Sequence, residues 1–179
     1  MTTLPSDPNA FDVFVSYSSR DADVAIDLCA FLEESGLRCW IAPRNIVAGR
    51  EYGENISDAI PRCKCLCLVF SSNSNESPHV ASEVALAFDN RVNILPVRIE
   101  DVKMNVDMGY RLNRFHQVSA PGGNIRVQLP DLPIQIRMLM GGRGKGAFAN
   151  RRTGRSIALV SVMAAIAISL AVSMFFAPE

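Results

Sequence analysis

His79 and Glu83 stand four residues apart in the stretch HVASEVALA, and at that spacing two side chains share one face of a helix. Val80, Val84 and Ala87 make the apolar stripe of such a helix, which puts Glu83 at the border of its buried face. A carboxylate in that position is either a solvated surface charge or a fixed anion beside a cleft. A second set of polar groups, Ser16, Tyr17 and Ser18, ends an apolar run. It supplies hydroxyl and backbone donors, and it is equally the ordinary chemistry of a turn. Arg44 lies in a loop dense in proline, glycine and arginine, where a guanidinium serves as surface charge or as a ligand for an anion.

Cysteine and histidine point away from metal chemistry. The chain has five cysteines and two histidines. Cys63, Cys65 and Cys67 alternate along an apolar run, which predicts reduced, buried thiols on one face of a strand. His79 and His116 are far apart and unpaired in the sequence, so no ligand spacing suits zinc and no metal site is expected. The segment GGRGKGAFANRRTGR, residues 141–155, lacks the spacing of a phosphate-binding loop and reads as a flexible basic linker. Lysine plus arginine equals aspartate plus glutamate at 18 each, so the broad positive field that nucleic-acid binding needs is missing and no such partner is expected.

The elements that must position these residues follow from local pattern. Residues 11–16, FDVFVS, read as a strand, and in the YSSRD cluster Ser19 or Asp21 caps a helix whose apolar face is Ala25, Leu28 and Leu32. Gly36 stops that helix, and residues 37–41 make a second strand in which Trp40 is a core residue rather than a stacking platform. A loop then leads to a short helix containing Ile56 and Ile60 that ends near Cys63. Residues 64–70, KCLCLVF, are apolar almost throughout, as a central parallel strand covered on both faces must be. Ser77 and Pro78 start the next helix, with Phe88 extending its stripe. Residues 92–99 form a fourth strand, in which Pro96 marks a bend or an approach to the sheet edge. Residues 115–119 read as a last short strand and 129–140 as a final helix. This alternation predicts an α/β, flavodoxin-like parallel sheet with helices on both faces, and ligands at the carboxyl ends of its strands.

The tail is different in kind. Residues 157–176, IALVSVMAAIAISLAVSMFF, contain no charge, proline or glycine, and twenty helical residues span roughly 30 Å, the thickness of a bilayer's hydrocarbon core. One transmembrane helix is expected over residues 156–176, with membrane lipid as its partner. Arg143, Lys145, Arg151, Arg152 and Arg155 precede it, and only residues 177–179 follow. That asymmetry places the preceding domain on the cytoplasmic side of the inner or cell membrane. The opening residues, MTTLPSDPNAFD, lack the basic start and apolar stretch of a secretory signal. Ser161, Ala165, Ser169 and Ser173 form a row of small side chains, which either brings tails together or is simply the common composition of membrane helices.

Three segments in this order, FDVFVSYSSRD (residues 11–21), CWIAPRNIVAG (39–49) and SSNSNESPHVASEVALA (71–87), resemble the signature segments of Toll/interleukin-1 receptor (TIR) domains, most closely the bacterial ones. The resemblance implies a TIR domain over residues 11–140, between an N-terminal tail (1–10) and the linker. It implies two kinds of activity: association with other TIR domains, as a homo-oligomer or filament, and cleavage of nicotinamide from NAD+. In enzymatic members a glutamate early in the third helix is essential, and by position Glu83 matches it. Breaking the bond between ribose and nicotinamide builds positive charge on the sugar, which a fixed anion stabilises. The resemblance makes Ser16, Tyr17, Ser18 and Arg44 substrate-binding candidates, the arginine facing the pyrophosphate. His79 stands where many enzymatic members have tryptophan, and it can meet a ribose hydroxyl or Glu83 itself. Ile46 and Gly49 belong to the loop that gates the site and joins neighbouring domains. NAD+ is a substrate here, and no cofactor is implied. The alternative is a non-catalytic TIR adaptor, or a factor that interferes with host signalling.

Overall fold

The computed structural model describes residues 11–49 and 51–141. Five parallel strands, β1 (Val13–Ser16), β2 (Cys39–Trp40), β3 (Cys65–Phe70), β4 (Asn93–Arg98) and β5 (Val118–Ser119), form one sheet in the order β2-β1-β3-β4-β5. The seven α-helices of the described residues are α1 (Ala22–Glu34), α2 (Tyr52–Ala59), α3 (Ser72–Glu76), α4 (Pro78–Asp89), α5 (Val106–Leu112), α6 (Ile125–Gln128) and α7 (Leu132–Gly141). The chain turns one way from β1 to β2 and the other way from β2 to β3. That reversal makes the carboxyl ends of β1 and β3 the switch point of the sheet, where doubly wound folds take their ligands.

Strand alternation divides the core in two. Val13 and Val15 of β1 pack with Cys65, Cys67 and Val69 under α1, α6 and α7, through Leu28, Leu32, Ile125 and Ile136. Phe14 joins Leu66, Leu68 and Phe70 on the opposite face, under α2, α4 and α5, through Ile56, Val80, Val84 and Met108. The central position expected for the KCLCLVF strand holds: β3 lies between β1 and β4 and every residue of it is buried. Trp40 is buried and stacks on Phe14 with ring centroids 4.6 Å apart. Trp40→Ala is expected to cost about 3–5 kcal/mol, because the cavity it leaves adds to the lost burial. Denaturant melts of the variant check this.

Capping explains the helix boundaries, with one correction. Ser77 accepts a hydrogen bond from the Val80 N–H, and Pro78 occupies the first turn of α4, as the sequence indicates. At the end of α1, Gly36 has φ of +82° and donates to the Glu33 carbonyl at 2.8 Å, while Leu37 donates to Leu32 at 3.1 Å. That left-handed turn favours glycine. Asp21, however, makes no side-chain cap bond to α1. It is buried and accepts from Ser71 Oγ at 2.6 Å and from Asn73 Nδ2 at 2.8 Å. The carboxylate thus ties the loop after β1 to the loop after β3.

Other expectations change in the three-dimensional structure. Cys65 and Cys67 share one face, but Cys63 packs in the opposite cluster, because it ends the 3-10 turn Ile60–Arg62 and precedes the strand. Burial pushes the Cys63 and Cys65 thiols up to about 12 and Cys67 higher than usual, so all three stay protonated. Pro96 pairs with Leu68 on the β3 side, while β5 begins only opposite the next residue, Val97, so on its other side Pro96 stands at the local edge of the sheet. The N-terminal tail, the linker beyond Gly141, the expected membrane helix and the last three residues lie outside the described residues. Among the described residues no helix is long and apolar enough to cross a membrane.

Candidate active site

Alternation along β1 decides where the site forms. Ser16 is the last residue of the strand and shares the face of Phe14, toward α4, while Tyr17 packs against the α1 side. On α4, Glu83 is half-buried, one residue before Val84 of the buried stripe. The two meet: Ser16 Oγ donates to Glu83 Oε2 at 2.5 Å. Burial pushes the Glu83 carboxyl up to about 7, and the Ser16 hydroxyl, by stabilising the anion, partly opposes that rise.

Two tyrosines, Tyr17 and Tyr52, lie close enough to Glu83 to feel its charge. Tyr17 OH donates to the Ala42 carbonyl at 2.5 Å, joining the exit of β1 to the start of the loop over residues 42–51. Its pKa is raised by burial first, then by the nearby Tyr52 and Glu83. Tyr52, at the first turn of α2 and about half exposed, is raised by burial and by Glu83. The sequence reading passed over Tyr52. The available signal was an aromatic residue just after a glycine- and arginine-rich loop.

The other candidates are distributed differently. Ser18 is buried at the exit of β1, where its carbonyl accepts from the Asp21 N–H at 2.8 Å. His79 is exposed on the first turn of α4, and among the described residues no hydrogen bond joins it to Glu83. Arg44 is committed elsewhere: it forks onto Glu33 of α1 at 3.0 and 2.7 Å, and also donates to the Cys39 carbonyl and to Asn45 Oδ1. The structure therefore gathers Ser16, Tyr17 and Glu83 and gives the Arg44 donors other partners. In the loop, Ile46 is partly buried against the core, Gly49 is exposed with φ of +86°, and Val47 presents its side chain to solvent at 55% exposure. Three cavities lie away from Glu83, the largest of them about 480 Å³ between α1 and the loop before α6.

Residues 13–123, which run from β1 to the turn before α6, match the family pattern described as the TIR domain. The chain belongs to the TIR domain family. Solved structures agree on the fold. The TIR domain of a Toll-related receptor from Hydra magnipapillata superposes with a TM-score of 0.60 at 21% identity, covering 72% of this chain and 99% of that one. A metazoan TIR-STING receptor from C. gigas gives 0.60 at 23% identity, over 78% of this chain and 42% of the receptor. A CMP N-glycosidase from Clostridium botulinum gives 0.50 at 20% identity, over 68% and 99%. No curated protein sequence matches the chain. The TIR assignment thus agrees with the three signature segments; neither the family pattern nor the fold distinguishes bacterial from other members.

Proposed function

We propose that this TIR domain cleaves the N-glycosidic bond of NAD+, releasing nicotinamide, with Glu83 as the anion that faces the reacting ribose. The observation that carries the proposal is the Ser16–Glu83 contact at the carboxyl ends of β1 and β3, where doubly wound sheets take their ligands. Nicotinamide leaves neutral from a cationic start, so one carboxylate suffices and no partner acid is required. As the carbon–nitrogen bond lengthens, positive charge shifts from the pyridinium ring to the sugar, and a preorganised carboxylate stabilises it without solvent rearrangement. A cation beside Glu83 also favours its ionised form, so substrate binding pulls the raised pKa back down. Ser16 orients the carboxylate, Tyr17 and Ser18 line the exit of β1, and in this reading His79, exposed on the first turn of α4, reaches a ribose hydroxyl. The same fold carries a CMP N-glycosidase in Clostridium botulinum, so N-glycosidic chemistry is compatible with it.

The proposal includes assembly and location. The loop with exposed Val47 and Gly49 joins one TIR domain to the next, and the apolar tail over residues 156–176 holds the domain on the cytoplasmic face of a membrane. Tethering raises local concentration and favours assembly, which suits a defence enzyme that depletes NAD+ once clustered. The test is to incubate the full chain, in detergent or crowded on vesicles, with NAD+ and to follow nicotinamide. Release that depends on clustering is the expected result, and its absence under every clustering condition leaves the adaptor reading.

Ser16 gives a separate handle on the carboxylate. Ser16→Ala removes the hydroxyl that stabilises the anion, so the Glu83 pKa rises further above about 7. The acid limb of the pH–rate profile for nicotinamide release should move to higher pH in this variant. A profile that keeps its wild-type position disconnects Ser16 from the ionisation that matters.

A further inference from the structure

Cys29 and Glu33 are four residues apart on α1, and Cys39 lies on β2 beneath the same helix. Their three ligand atoms, two Sγ and one carboxylate oxygen, all lie within 4.8 Å of one another. We propose that Cys29, Glu33 and Cys39 form a binding site for a thiophilic divalent cation of the zinc class. It shares no residue with the Ser16–Glu83 site and does not depend on the NAD+ reading.

Three arguments support the site. The first is distance: zinc bonds sulfur at about 2.3 Å and carboxylate oxygen at about 2.0–2.2 Å, so tetrahedral ligands stand about 3.5–3.8 Å apart. From separations of up to 4.8 Å the three atoms need to close by about 1.3 Å at most, which side-chain rotation supplies. The second is charge. Two thiolates and a carboxylate are balanced by a divalent ion together with the Arg44 guanidinium, which already forks onto Glu33. Arg44 Nη2 also donates to the Cys39 carbonyl at 2.9 Å and the guanidinium lies beside the Cys29 thiol, so it borders all three ligand residues and an ion shares the Glu33 carboxylate with it. The third is access. Both cysteines are buried, but Glu33 and Arg44 above them are 37% and 48% exposed at their side chains. An ion therefore enters past two surface side chains, and water completes the fourth position.

The cysteine and histidine spacing along the chain does not reveal this set. Here one ligand is a carboxylate, and the second thiol comes from the next strand.

The experiment is a Co2+ titration of the reduced full chain under anaerobic conditions. A thiolate-to-cobalt charge-transfer band should grow to saturation at one equivalent and bleach on addition of Zn2+. Cys29→Ser and Cys39→Ser should each abolish the band, and Glu33→Gln should weaken Co2+ binding by about tenfold or more. The proposal is overturned if wild type shows no thiolate band, or if the band survives in both serine variants and so belongs to Cys63, Cys65 or Cys67. Should the serine variants fail to fold, the exposed Glu33→Gln decides the matter, and unchanged Co2+ affinity in that variant overturns the site.

Discussion

Glu83→Gln should abolish nicotinamide release while making the protein more stable near neutral pH. The loss of rate is expected at about 10²–10³-fold, the scale set by removing one preorganised electrostatic group from a transition state. The gain in stability follows from the direction of the pKa shift. The folded protein raises the Glu83 carboxyl from 4.5 to about 7, so between those values the native state holds a proton that the unfolded chain has released. Stability from this group is therefore intact below about pH 4.5, declines as pH rises toward 7, and is at its lowest above that. At full ionisation the cost is on the order of 2–3 kcal/mol, reduced by the partial exposure of the side chain. Glutamine has the same shape, keeps an oxygen for the Ser16 hydroxyl and carries no charge, so it relieves the cost. Melting curves near pH 8 should show the variant above wild type, whereas near pH 4 the two should coincide. A surface glutamate would give neither the pH dependence nor the loss of turnover. Equal nicotinamide release by wild type and variant removes Glu83 from the chemistry, whatever the melting curves show.

That burial of a charge was half visible in the amino-acid sequence. The stripe of Val80, Val84 and Ala87 placed Glu83 on the margin of a buried face, and the alternation of FDVFVS placed Ser16 on one definite side of the sheet. Local periodicity carried both facts. The meeting of the two residues, 67 positions apart, required the strand order. Arg44 shows the opposite case: the loop looked open to an anion, but its guanidinium finds Glu33, a helix residue whose partner no local pattern reveals. The helices α3 and α5 were missed for related reasons. Ser72–Glu76 is made of serine, asparagine and one glutamate, residues that favour turns, and it is helical because Ser71 and Ser74 cap one another. Val106–Leu112 has seven residues, too few for a helical period to stand out, and buries Met108, Gly109 and Leu112 through tertiary contact. The strands β1, β3 and β4 were legible because each is a run of β-forming apolar residues. β2 and β5 fall within the strands expected over residues 37–41 and 115–119, but each is shortened to two residues held by its neighbours.

Assembly gives the second large effect, and the structure changes which residue tests it. Ile46 is the apolar residue of the loop that, by the TIR resemblance, joins neighbouring domains, but its side chain leans on the cluster that holds Phe14 and Trp40. Ile46→Asp would thus introduce a charge against the core, and a loss of activity would confound folding with association. Val47, the next residue, is 55% exposed and leaves the core untouched. Its N–H is held by Asn55 Oδ1 at 3.0 Å, an arrangement that involves the backbone and survives substitution of the side chain. Val47→Asp should therefore melt at the wild-type temperature, since surface substitutions away from special features usually change stability by no more than about 0.5 kcal/mol. If loop-mediated contact between TIR domains completes the site, the same variant should lose nicotinamide release by about 10²-fold at protein concentrations where wild type is clustered. The scale is that of forfeiting the effective concentration that clustering provides. Light scattering on the two proteins reports the assembly directly. Ile46→Asp should in contrast show a lowered melting temperature together with its loss of activity. Should Val47→Asp remain monomeric yet cleave NAD+ at the wild-type rate, each domain carries a complete site and loop-mediated assembly is not needed for turnover.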